Sequence, residues 1–170
     1  GPFAFSREEK IRKISTSKNT KLSVMVNAFD FFKIKKNYKT LIDEHFPKNS
    51  NSKISIVRLA THYDDIFKIS NHVKYLKKLG YKVFINLMQI NRISEKQLTD
   101  VLRELKKSKS VDVFYFADSF GNMKPHNVKK ICKTIKKNWS SSFGIHTHDN
   151  CGYALENSLA AIKFGAEWVD

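Results

Sequence analysis

Ser142-Phe143-Gly144-Ile145-His146-Thr147-His148-Asp149-Asn150-Cys151-Gly152-Tyr153 is the stretch on which the fold and the chemistry of this chain turn. It predicts a strand that ends in His-x-His and runs through a short acidic, glycine-containing turn into a helix. Side chains two apart on a strand point the same way. His146 and His148 therefore project together from the strand's C-terminal end, where their imidazole nitrogens can grip one divalent metal. Two histidines at this spacing are also commonly a surface coincidence or satisfied core groups. What separates these readings is the rest of the chain, which repeatedly sets a strand end beside a helix start.

Upstream, Val111 to Ala117 predicts a strand ending in Asp118-Ser119-Phe120-Gly121-Asn122-Met123. Pro125 then opens a helix to about Asn138, at the position proline favours. Tyr81 to Met88 is another strand. Ser94, with Gln97 three residues on, forms a capping box for a helix turning Leu98, Val101, Leu102 and Leu105 inward. Ile54 to Ala60 is a strand followed by one helix over Tyr63 to Leu79, with Ile66, Ile69, Val73, Leu76 and Leu79 at helical spacing. Leu22 to Val26 is the first strand. Before it, Ser6 to Lys18 predicts a helix capped by Ser6, with Glu8 and Glu9 in its first turn. Ala28 to Phe46 is ambiguous, its aromatics suiting a packed loop and helix. Downstream, a helix over about Gly152 to Phe164 leads to a sixth strand over Ala166 to Asp170.

Nearly continuous apolar strands between amphipathic helices mark parallel β-structure covered on both faces. An open doubly wound sheet and a (β/α) barrel both fit that order. No Gly-rich phosphate loop follows any strand, which weighs against the dinucleotide-binding sheet. Polar residues recur instead at the C-terminal ends of strands: Asn86, Asp118, Ser119, His146 and His148. That distribution fits the active face of a barrel. A closed barrel needs about eight strands and typically about 250 residues, so the 170 residues, 41% of them hydrophobic, form a single α/β domain over 1–170 that is part of a (β/α)8 TIM barrel.

No run of about 18 uncharged apolar residues exists, so no membrane-spanning segment is expected, and no signal-peptide core is seen at the N-terminus. Cys132 and Cys151 lack zinc-ribbon or Cys-x-x-Cys spacing; reduced thiols and a cytoplasmic location are expected. The net charge of +15 is spread over nearly every helical segment rather than gathered in a stripe. No RNP-like or helix-turn-helix pattern accompanies it, which argues against nucleic acid as the partner. A positive field drawing in a small anionic substrate explains it as economically.

Gly144 to Ala154, with Asn157-Ser158 and Gly165-Ala166-Glu167-Trp168-Val169-Asp170, resembles the HxH region of the HMG-CoA lyase-like metal-dependent TIM barrels. These include 4-hydroxy-2-oxovalerate aldolase, HMG-CoA lyase and the α-isopropylmalate and homocitrate synthases. Ala117 to Pro125 is similar to the family's Asp-Ser/Thr-x-Gly turn, and Asn86-Leu87-Met88-Gln89 to a strand end of its aldolase-like members. The resemblance implies that the six strands are strands three to eight of the barrel. The first-strand Asp-Arg-x-Leu-Arg-Asp-Gly type motif, which supplies one metal-ligand Asp and a catalytic Arg, is not among these residues.

The resemblance further implies a divalent-metal-dependent carbon–carbon lyase or aldolase acting on a 2-oxo acid or related carboxylate. His146 and His148 would be metal ligands for Mn²⁺, Mg²⁺, Co²⁺ or Zn²⁺, and Asp118, Ser119 and Asn86 catalytic or pocket residues. Each has a plainer reading: Asp118 as a turn-former, Asn86 as a buried hydrogen-bonder, Arg58 as a barrel-interior ion pair, and Asp149 as a turn residue or a partner to the histidines. Also open are an inactive barrel with a structural or regulatory role, an acyl-CoA or 2-oxo acid condensing synthase, and assembly as a homo-oligomer or with further fused domains. His45, His62, His72 and His126 are expected at exposed or capping positions.

Overall fold

The fold is described from a computed structural model covering residues 7–34 and 36–170. A short helix α1 (Glu8–Ile11) precedes strand β1 (Leu22–Asn27), helices α2 (Ala28–Lys33) and α3 (Tyr38–His45), and strand β2 (Ile54–Thr61). Helices α4 (Tyr63–Ile66) and α5 (Ser70–Lys78) lead to β3 (Lys82–Leu87), α6 (Glu95–Ser108) and β4 (Val113–Ala117). The chain ends with α7 (Pro125–Asn138), β5 (Ser142–His146), α8 (Ala154–Lys163) and β6 (Trp168–Val169).

The strands form one six-stranded sheet in the order β1-β2-β3-β4-β5-β6, and every neighbouring pair is parallel. Consecutive order is the barrel's winding; a doubly wound sheet reverses direction at a switch point. Side chains on one face of the strands, among them Val57, Leu59, Val83, Ile85, Phe114, Phe116 and Ile145, pack with Ile69 and the helices' Leu76, Leu102 and Ile135 into one core. The opposite face carries a separate cluster made of strand residues alone: Ile56, Phe84, Val113 and Tyr115. Helices on one side and strand side chains meeting each other on the other side define a sheet curling toward closure.

Two contacts across the concave face measure that curl. Strands lie about 4.8 Å apart, so a flat sheet would hold β2 and β6 roughly 19 Å from each other. Arg58 of β2 nevertheless forms an ion pair with Asp170, the residue following β6. Phe84 of β3 meets Trp168 of β6 edge-on, ring centroids 5.1 Å apart. The outer edges of the sheet belong to β1 and β6; Met25, Trp168 and Val169 are exposed there.

Several sequence expectations change. The first helix spans four residues rather than Ser6 to Lys18, and its expected cap Ser6 lies outside the described residues. Beyond it the Ser17 and Thr20 hydroxyls bond each other at 2.7 Å, the local side-chain bonding that competes with a helix. The helix expected over Tyr63 to Leu79 is two helices. Ile66, Ile69, Val73 and Leu76 are all buried across the break, so hydrophobic spacing continues where the backbone helix does not. The ambiguous stretch holds two helices begun by asparagine caps: Asn27 accepts from the Phe29 N–H and Asn37 from the Lys39 N–H. His72 is buried, against expectation, among the rings of Phe31, Phe32 and Tyr38.

Candidate metal centre

The C-terminal ends of β3, β4 and β5 bring the candidate residues to one mouth. His146 is the last residue of β5, paired with Ala117 of β4, and His148 follows two residues on. Their rings meet edge to face with centroids 4.8 Å apart, so the His-x-His pair does project together. Each ring is fixed from behind. His148 Nδ1 lies 2.8 Å from the Asp118 carbonyl oxygen, and His146 Nδ1 lies 3.1 Å from Asp170 Oδ1. A carbonyl and a carboxylate only accept hydrogen bonds, so each ring carries a proton on Nδ1, and in the neutral ring the lone pair is on Nε2. Metal-ligating histidines are set up in this way.

Asp118 is fully buried. Its Oδ1 accepts from the Asn122 N–H at 3.2 Å and its Oδ2 from the Met123 N–H at 3.1 Å. The carboxylate thus shapes the β4–α7 turn, while the carbonyl of the same residue holds His148. Gly121, with φ +60°, lets that turn lie directly on the segment after β5: a Cβ there would come 2.8 Å from the Asn150 nitrogen and 2.9 Å from the His148 oxygen. Ser119 Oγ accepts from the Gln89 N–H at 2.9 Å, tying the end of β3 to the end of β4. Among the described residues the Ser119 hydroxyl has no acceptor of its own. Gln89 takes a left-handed backbone, φ 53°, unusual for a residue with a side chain.

Asn86 is buried, its Oδ1 without a partner among the described residues and its Nδ2 3.9 Å from Met25 Sδ. Asp149 Oδ1 accepts from the Ala154 N–H, so its side chain serves the turn into α8. The carboxylate behind His146 is instead Asp170.

Asp170 also engages Arg58, whose guanidinium stacks 4.3 Å from the centre of the Tyr115 ring. Burial pushes the Asp170 carboxyl up, but its hydrogen bonds to His146 and Arg58 and their charges outweigh this and hold it below the usual range. Burial, reinforced by the Asp170 charge, pushes the Tyr115 phenol up to about 12 against the opposing pull of Arg58. Asp170 and Tyr115 escaped the sequence reading because strand alternation places them on the concave face without saying what they meet.

Among the described residues no three His, Cys, Asp or Glu side chains converge as a metal shell. The imidazole pair fits two positions of a divalent-metal site: both rings have Nδ1 engaged by an oxygen acceptor and both stand at one strand end.

The HMGL-like family pattern matches residues 6–170. The chain belongs to the HMGL-like family. Curated relatives of this HMGL-like chain include the 4-hydroxy-2-oxovalerate aldolase of Carboxydothermus hydrogenoformans, 36% identical over 115 residues, which are 68% of this chain and 34% of that protein. The enzyme of the same name from Geobacillus thermodenitrificans is 32% identical over 117 residues, 69% of this chain and 34% of that protein. The chain thus spans about a third of the length of these relatives. Among solved structures, the N-terminal domain of a proposed aldolase from Bacteroides vulgatus superposes with a TM-score of 0.70 at 26% identity, covering 89% of this chain and 48% of that one. The carboxyl transferase domain of Rhizobium etli pyruvate carboxylase, at 19% identity, gives 0.63 over 74% of this chain and 24% of that one, and shares the fold. The described residues therefore form part of a TIM barrel.

Proposed function

We propose that this HMGL-like domain forms most of the active face of a divalent-metal-dependent carbon–carbon lyase of the aldolase type, acting on a 2-oxo acid or related carboxylate. The observation that carries this is the pair His146 and His148 at the barrel mouth, each with Nδ1 engaged by an oxygen acceptor and Nε2 left to coordinate. Supporting it are the relatives named 4-hydroxy-2-oxovalerate aldolase. A 4-hydroxy-2-oxo acid has the carbonyl and hydroxyl in the relationship that a retro-aldol cleavage requires.

When bound, Mn²⁺, Mg²⁺, Co²⁺ or Zn²⁺ supplies Lewis acidity to the substrate's oxygens. The chain's own residues do the rest of what is visible here. His146 and His148 would hold the ion. Asp118, through its backbone carbonyl, keeps the His148 proton on Nδ1 and acts as a positioning residue rather than a proton carrier. Ser119, with an uncommitted hydroxyl proton, is placed to donate to a substrate oxygen, and Asn86 lines the wall. The overall charge of +15 favours approach of an anionic substrate.

The test is calorimetric titration of the protein and its His148→Ala variant with Mn²⁺ and Zn²⁺, paired with an assay for cleavage of a 4-hydroxy-2-oxo acid into a 2-oxo acid and an aldehyde. Stoichiometric binding that the variant loses, together with cleavage, supports the reading. Binding indifferent to His148, or none, rejects it.

A further inference from the structure

Asp170 is shared between two partners. One carboxylate oxygen, Oδ2, is taken by Arg58 Nη1, and Oδ1 faces His146 Nδ1 at 3.1 Å, with Arg58 Nη2 3.5 Å from the same oxygen. Arg58 is itself held: its guanidinium stacks on Tyr115, and its side chain is 13% exposed. Arg58, Tyr115 and Asp170 come from β2, β4 and the end of β6. Alternate strands supply the layers that fill a TIM-barrel interior, and the register of β5 with β6, Ile145 on Val169, sets Asp170 beside His146.

We propose that Asp170, clamped by Arg58 across the barrel, is the positioning residue that fixes His146 in its Nδ1–H tautomer and aims Nε2 at the metal. This rests on the metal-site reading above and extends it to how the site is assembled. Arg58 and Asp170 sit 112 residues apart in the chain and meet only because the sheet curls. The curl of the sheet therefore sets the ligand's tautomer, and a sheet that flattens between β2 and β6 releases it. His148 is independent of the clamp, because its own Nδ1 is held by the Asp118 carbonyl. That independence provides an internal control.

The experiment is ¹⁵N NMR of the histidine imidazoles in metal-free protein, with Mn²⁺ affinity by calorimetry, for the wild type and for Asp170→Asn and Arg58→Met. An asparagine amide can turn its NH₂ toward the ring, so Asp170→Asn is expected to move His146 toward a mixture of tautomers while His148 keeps its signature. Mn²⁺ affinity is expected to fall about ten- to hundredfold, the range for loss of a partner behind a metal histidine. Arg58→Met, which frees the carboxylate to rotate, is expected to shift both readouts in the same direction by less, and serves if Asp170→Asn folds poorly. His146 remaining purely Nδ1–H in both variants at wild-type affinity overturns the proposal. Complete loss of Mn²⁺ binding with the tautomer unchanged also overturns it, because Asp170 would then be a ligand itself. A wild type that binds no metal sinks the lyase reading alone, since the metal-free tautomer still decides this one.

Discussion

Asp118 holds His148 through its backbone carbonyl, 2.8 Å from Nδ1, while its carboxylate faces the other way and bonds the N–H groups of Asn122 and Met123. One residue thus fastens a candidate ligand and folds the neighbouring turn. Asp118→Ala would leave two N–H donors without acceptors, at a cost of about 3 kcal/mol, read as a lower urea midpoint. With the turn loosened, Mn²⁺ affinity is expected to fall alongside stability. Asp118→Asn, keeping one acceptor oxygen, should lie between. Turnover abolished in Asp118→Asn with stability and affinity intact would instead make the carboxylate a proton carrier.

Gly144, paired with Trp168, has no room for a side chain. A Cβ would come 2.6 Å from the Trp168 backbone oxygen and 2.8 Å from Tyr115 Cε1. Gly144→Ala is expected to push β6 from β5 and destabilise by about 1–3 kcal/mol, as overpacking does. Urea titration measures the loss, and the Trp168 indole resonance should move. An unshifted resonance at wild-type stability would contradict the packing described.

His72 gives stability a pH dependence of known sign. Burial lowers its pKa, partly opposed by a backbone hydrogen bond at Lys68, and its Nδ1 has no partner among the described residues. The unfolded imidazole titrates near about 6.5. Above that value both states are neutral and His72 contributes no slope. As pH falls below it the unfolded state takes up the proton first, so stability declines until the folded pKa is passed. His72→Phe should flatten this part of a denaturation series between about pH 7.5 and 5; an unchanged slope would place its origin elsewhere.

The two thiols should differ sharply toward iodoacetamide. Cys151 is exposed and Cys132 buried, and burial pushes the Cys132 thiol up to about 12, leaving it protonated where thiolate is the reacting form. Mass spectrometry is expected to find one alkylated site in the native protein, Cys151, and two in urea. Rapid native labelling of Cys132 would show that α7 opens.

The strand-and-helix order, the parallel sheet and the His-x-His pair were legible in the chain because they are local. Apolar periodicity, the Ser94–Gln97 capping box and alternation along a strand operate within a few residues. The first helix and the break between α4 and α5 escaped because competing hydroxyl bonds and a backbone break leave hydrophobic spacing unaltered. Even the choice of barrel over doubly wound sheet was approachable, through the polar residues at successive strand ends.

The sequence by itself determined which residues stand at the strand ends: Asn86, Asp118, Ser119, His146 and His148 do so whatever the sheet's curvature. Only the tertiary structure decided what stands behind them. Arg58 on β2 and Asp170 just after β6 stand four strand spacings apart, and the Asp118 carbonyl reaches His148 from a neighbouring turn. Those contacts depend on how far the sheet curls and on which face of a turn points inward. Both are set by packing summed over the domain rather than by any short stretch of residues.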